Sequence, residues 1–123
     1  MSTFDKLRSV ELDNKTKRLK EDPIFSVITE NNISFMIRRE HVTLGNGSKI
    51  SVQGSETHYS MPRENLSHLT DYQRLEMRVI SGGETLDYSA LNLDENFNWG
   101  TDGIDYVLLA DVISFIDANG GIA

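Results

Sequence analysis

"HVTLGNGSKISVQG", residues 41–54, is the stretch that decides the fold. Gly45, Asn46 and Gly47 tolerate positive φ and stand between two strand-forming runs, which is the pattern of a tight antiparallel hairpin. In the second run Ile50 and Val52 alternate with Ser51, Gln53 and, further on, Ser55, so that strand has one apolar and one polar face. An apolar face must be covered, and the covering layer has to come from elsewhere in the chain.

Towards the N-terminus, "PIFSVIT" (23–29) and "ISFMIRREHVTL" (33–44) are rich in β-branched and aromatic residues around the turn "ENN", which predicts a second hairpin and a three-strand meander. Towards the C-terminus, "YQRLEMRVI" (72–80) alternates Leu75, Met77 and Val79 with Arg74, Glu76 and Arg78, as a half-buried strand does. "TLDYSAL" (85–91) has no clear period, and "GIDYV" (103–107) reads as a short strand. "LLADVISFIDANGG" (108–121) places Leu109, Val112, Ile113 and Ile116 on one helical face, with Gly120 and Gly121 as its stop. This helix supplies the missing layer. Residues 2–22 carry Phe4, Leu7 and Val10 at helical spacing, then Leu19, among many charges, and predict one exposed helix or two short ones, loosely docked and ending before Pro23. The expected fold is α+β: a charged helical segment over 1–22, then a single domain over 23–123 with an antiparallel sheet of four to five strands and the C-terminal helix packed on one face.

A chain of 123 residues, 38% hydrophobic and 25% charged, suits one modest core. With no cysteine there is no disulfide, thiolate nucleophile or Cys-ligated zinc. No apolar run approaches the ~20 residues of a membrane span, and the charged start is unlike a signal peptide, so a cytoplasmic protein is expected. The net charge of −7 is unevenly placed. Residues 81–123 carry Glu84, Asp87, Asp94, Glu95, Asp102, Asp105, Asp111 and Asp117 with no Lys or Arg, whereas the preceding residues are nearly balanced. Such a block repels nucleic acid and anionic lipid and attracts a basic protein surface. Asp87, Asp94, Glu95, Phe97, Trp99, Asp102 and Asp105 are the candidate partner-binding residues, with the two aromatics as anchors in an acidic rim. The slightly positive N-terminal segment beside this block also permits head-to-tail self-association.

A second candidate surface follows the hairpin. "ISVQGSETHYSMPRE" (50–64) spends Ser51, Gln53, Ser55, His58, Tyr59 and Arg63 within thirteen positions. A polar strand face beside such a loop can cradle a small anionic ligand or a nucleotide, with Arg63 for an oxyanion and Tyr59 for stacking. The competing reading has Ser51 and Gln53 facing water and Arg63 paired with Glu56 or Glu64. No catalytic constellation stands out: His41, His58 and His68 are too far apart for a helical metal pair, and nothing in the sequence orients a Ser55 and His58 couple, so neither an enzyme nor a cofactor is expected. "DENFNWGTDGID" (94–105) spaces Asp94, Asn96, Asn98, Asp102 and Asp105 like a calcium loop but puts Trp99 where the turn needs glycine and Asp where the closing Glu belongs, so no metal is expected there.

"SKISVQGSETHYSMPRE", followed much later by "YVLLADVISFIDANGGIA", resembles a group of small phage and prophage proteins that carry a Ser-Val-Gln-Ala-Ser segment, then His-Tyr-Cys-Ser-Pro-Arg, and a C-terminal helix ending in Gly-Gly. Ser51, Val52, Gln53, Ser55, His58, Tyr59, Pro62 and Arg63 carry the likeness, over about a third of the chain. Gly54 departs from it where a methyl-bearing residue is usual, and Ser60 where cysteine often stands. The resemblance implies a phage setting and an accessory role, and transfers no reaction. Joined to the charge map, it leads to an expected phage accessory protein that inhibits a host or anti-phage defence protein through its acidic surface. The alternative is a small-ligand module built on 51–63.

Overall fold

The computed structural model describes residues 2–23, 37–91 and 103–123. Among the described residues, four strands, β1 (Val42–Thr43), β2 (Lys49–Gln53), β3 (Arg74–Ser81) and β4 (Ile104–Leu108), form one antiparallel sheet in the order β1-β2-β3-β4. Three α-helices among the described residues accompany them: α1 (Thr3–Arg8), α2 (Asn14–Glu21) and α3 (Leu109–Ala118). The fold is α+β, as the sequence predicts. No helix among the described residues is long and apolar enough to cross a membrane. The predicted strand at 23–29, apart from Pro23, and the start of that at 33–44 lie outside the described residues.

The decisive hairpin forms as expected. Val42 pairs with Ile50 and Thr43 with Lys49, and the Leu44 N–H donates to the Ser48 carbonyl at 2.8 Å. Gly47 closes the turn at φ +90°, a conformation that a side chain would strain. Ile50 and Val52 of β2, Leu75 and Met77 of β3 and Val107 of β4 then share the core face with Val112, Phe115 and Ile116 of α3. The predicted helical stripe is rotated slightly in fact: Phe115 is fully buried, whereas Leu109 and Ile113 are only partly so.

The two glycines after α3 do more than stop it. Gly121 N–H donates to the Ile116 carbonyl at 3.0 Å and Gly120 N–H to the Asp117 carbonyl at 3.3 Å, a paired capping arrangement that needs positive φ at Gly120; Gly121 has positive φ as well. The chain then runs back beside β1. Leu44 bridges Ile122, Ala123 N–H donates to the Thr43 carbonyl at 2.9 Å, and Gly45 N–H to the Gly121 carbonyl at 2.8 Å. A Cβ on Gly45 would stand 2.2 Å from the Gly120 carbonyl oxygen, so the turn and the tail fit only as backbone against backbone.

The N-terminal segment forms two short helices. Ser2 caps α1 by accepting from the Asp5 N–H at 3.1 Å, and Asp13 caps α2 by accepting from the Thr16 N–H at 2.8 Å. Contrary to loose docking, Leu7 is fully buried in the core cluster, while Phe4 stays exposed. Residues 11–13 also pair with 38–40: Asp13 N–H donates to the Arg38 carbonyl and Glu40 N–H to the Glu11 carbonyl, both at 2.9 Å. The amide of Arg38 in turn reaches the buried Thr16 hydroxyl at 3.1 Å.

Candidate functional site

With the core face covered by α3, the chemistry lies on the opposite face of the sheet. Register places Ser51 beside Arg78 and Gln53 beside Glu76, so these four side chains form adjoining cross-strand pairs on that outer face. A loop leaves β2 at Gly54, arches over the face and returns at Met61, whose N–H donates to the Arg74 carbonyl at 3.0 Å. On the way Tyr59 N–H donates to Glu76 Oε2 at 2.9 Å, and Tyr106 N–H of β4 donates to the Tyr59 carbonyl at 3.1 Å.

This geometry answers the question of the many polar side chains. Ser51, Gln53, Ser55 and His58 are all buried, so Ser51 and Gln53 do not face water as the competing reading has it. The cause is the segment 37–40, which lies against β2. Gln53 Oε1 accepts from the Arg39 N–H at 2.8 Å and Gln53 Nε2 donates to the Arg39 carbonyl at 2.9 Å. Its carboxamide thus pairs with Arg39 as another strand's backbone would, and Nε2 also reaches Ser51 Oγ at 3.0 Å. Ser55 and His58 lock the loop. Ser55 Oγ lies 2.5 Å from His58 Nδ1 and accepts from the Thr57 N–H at 3.1 Å. Ser60 accepts from the Ser55 N–H at 3.3 Å and donates to the Ser55 carbonyl at 3.2 Å. Because Ser55 is 0% exposed, the Ser55–His58 pair serves here as a latch within the loop.

What the arch leaves open is a cleft of about 260 Å³ whose walls include Arg38, His41, His58, Tyr59, Glu76 and Arg78. A neighbouring hollow of about 310 Å³ shares Arg38, His41 and Gln53 with it. Burial pushes the His58 imidazole below its ordinary pKa; Arg38 acts in the same sense and Glu76 against it. The histidine is therefore mostly neutral at pH 7, and Arg38, Arg78 and Glu76 bring charge to the cleft. Tyr59 is half exposed, with the Arg63 guanidinium 5.3 Å from its ring centroid and the Tyr106 ring edge-on at 6.1 Å. Arg63 thus sits over an aromatic ring.

Of the ligand-binding candidates, Ser51, Gln53, His58 and Tyr59 reach the cleft, Ser55 lies beneath it, and Arg63 backs Tyr59. Arg38, His41, Glu76 and Arg78 are additions. The alternation in 72–80 already assigned Glu76 and Arg78 to the face opposite Leu75 and Met77. Only the strand register shows which residues they meet.

Of the partner-binding candidates, Asp94, Glu95, Phe97, Trp99 and Asp102 lie outside the described residues, as does most of the calcium-like pattern. Asp87 is exposed and accepts from the Ser89 N–H at 2.9 Å, which holds its pKa low. Asp105 is exposed near two cleft residues: desolvation and then Glu76 raise its pKa, while Arg78 opposes them. Among the described residues, Glu84, Asp87, Asp105, Asp111 and Asp117 form no ion pair with a Lys or Arg within 4.0 Å. Asp117 instead accepts from the Thr3 hydroxyl. No three metal-capable side chains converge among the described residues.

Comparison with known proteins gives no match: no protein family, no curated protein and no solved structure resembles the chain closely enough to be assigned.

Proposed function

We propose that the protein is a small-ligand binding module whose outer-face cleft takes an anionic ligand of nucleotide type and holds it without turnover. The observation that carries this reading is the convergence of Arg38, Arg78 and the exposed Tyr59 ring on one 260 Å³ hollow, above a floor held rigid by Gln53 and Ser51. A guanidinium supplies directed donors to phosphate, and an aromatic ring accepts a base of any sequence by stacking. The neutral His58 offers hydrogen bonding without adding charge. The volume lies just below the lower limit for a drug-sized ligand, about 300 Å³, so a bound mononucleotide projects partly into solvent. Within the phage setting implied by the resemblance, such a module acts stoichiometrically, by sequestering its ligand.

Calorimetric titration with nucleoside mono- and diphosphates tests this. Arg78→Ala removes one charge-assisted contact worth about 1.5–3 kcal/mol, or roughly 10- to 150-fold in Kd. Charge reversal of Asp94, Glu95 and Asp102 leaves such binding in place. Absence of saturable binding to any member of the panel, or binding indifferent to Arg78→Ala, refutes the reading.

A second reading is favoured by a separate observation, the lack of cationic partners at the described carboxylates of residues 84–117. Exposed carboxylates with no described Lys or Arg within 4.0 Å, Asp87 and Asp105 among them, support inhibition of a host or defence protein through a basic patch. Affinity for such a partner falls steeply with added salt and with charge reversal at Asp94, Glu95 and Asp102, and is unaffected by Arg78→Ala.

A further inference from the structure

Arg39 presents a feature that neither surface uses. Its residue is only 7% exposed, yet among the described residues its guanidinium faces no carboxylate. Nη1 donates to the Val10 carbonyl at 3.0 Å, and Nη2 donates to the carbonyls of Leu66 and Ser67 at 3.3 and 3.0 Å. These contacts tie the end of the N-terminal segment to the 66–67 loop. The Nε–H is buried and has no acceptor among the described residues. Backbone carbonyls share the charge but do not cancel it, and a desolvated cation with an idle donor is expensive unless an anion completes its surroundings. Burial lowers the Arg39 pKa, with only Tyr72 and Asp71 opposing from a distance, and a guanidinium stays protonated at pH 7 regardless.

Beside this guanidinium lies a cavity of about 180 Å³ lined by Lys20, Arg39, Asn65, Ser67 and Tyr72 among others, with no aspartate or glutamate among its described lining residues. Two cations, an amide and two hydroxyls thus surround a space too small for a drug-sized ligand, with no anionic side chain among its described lining residues. We propose that this cavity is a binding site for a small free oxyanion of phosphate size, distinct from the outer-face cleft. The anion neutralises Arg39, is held at the mouth by Lys20, and thereby fastens α2 to the 65–67 loop. A modest turn of the Arg39 side chain presents its idle Nε–H to the bound oxygen.

The test is thermal unfolding and calorimetry of the full chain with inorganic phosphate, ionic strength being held constant with chloride. Phosphate raises Tm in a saturable way, as any ligand of the native state does. Lys20→Gln, an exposed change on α2, leaves Tm without phosphate unchanged and weakens phosphate binding about tenfold. Arg78→Ala, in the other cleft, leaves phosphate affinity unchanged. Arg39 variants also cut three carbonyl contacts, so Lys20→Gln carries the assignment. The proposal is overturned by the absence of a saturable phosphate effect, by an effect indifferent to Lys20→Gln, or by one lost in Arg78→Ala. Competition of AMP with phosphate likewise overturns it, because a nucleotide does not fit 180 Å³.

Discussion

Replacing Gln53 with leucine separates the contribution of the buried carboxamide from that of its volume. Gln53 is 4% exposed and satisfies the N–H and carbonyl of Arg39 while donating to Ser51 Oγ. Leucine fills similar space but leaves two backbone groups buried without partners, each costing about 1–3 kcal/mol. Against this, the more apolar side chain regains about 1–2 kcal/mol by its own burial. The net expectation is a loss of about 3 kcal/mol, a large part of the ~6–18 kcal/mol expected for a domain of this length. With a urea m-value of about 2 kcal/mol per M, the unfolding midpoint followed by circular dichroism moves down by about 1.5 M at unchanged m. A double-mutant cycle with Ser51→Ala sharpens the test. The serine change alone costs about 1 kcal/mol and costs nothing further in the Gln53→Leu background, because its donor is already gone. A midpoint shift below about 0.3 M for Gln53→Leu, or full additivity with Ser51→Ala, refutes the view that this side chain serves as a substitute strand.

Three further outcomes follow from the same coordinates. His58 has a lowered pKa when folded, so the unfolded chain binds more protons as pH falls below about 6.5; stability therefore decreases through that window, and His58→Gln flattens the profile measured by urea unfolding at successive pH values. Gly54→Ala places a Cβ 2.9 Å from the Tyr72 ring, an overpacking that lowers stability by about 1–3 kcal/mol in chemical denaturation. Leu7→Ala removes a fully buried side chain and costs about 2–5 kcal/mol, measured as one cooperative transition that includes the N-terminal helices.

Much of the sheet was legible because strand and helix leave different periods in the sequence. Leu75 and Met77 against Glu76 and Arg78, and Ile50 and Val52 against Ser51 and Gln53, already separate core from outer face, and the Gly45–Gly47 turn sets their neighbour. The helix α3 was legible for the same reason, although Phe115 escaped the predicted stripe because its place depends on how the helix is rotated over the sheet. Long-range polar pairing left no such trace. Nothing local signals that Gln53 will pair with the backbone of Arg39, fourteen residues away, and bury a face that alternation alone assigns to solvent. Leu7 likewise looked like one apolar residue among charges, yet burial depends on what lies opposite, here α3 and the 69–71 turn. Gly54 is constrained in the same way, because the Tyr72 ring occupies the space a Cβ would need. The cleft was half legible, since Ser51, Gln53, His58 and Tyr59 are close in sequence, whereas Arg38, Glu76 and Arg78 join them only through strand pairing.

The central claim is that an anionic ligand binds between Arg38, Arg78 and Tyr59, and amide chemical-shift mapping during titration with a nucleoside monophosphate tests it most directly. Saturable shifts concentrated at Ser51, Thr57, His58, Tyr59 and Arg78 are expected, with a midpoint raised roughly 10- to 150-fold in Arg78→Ala. Shifts confined to the acidic residues of 84–117, or none at saturating nucleotide, would contradict the claim.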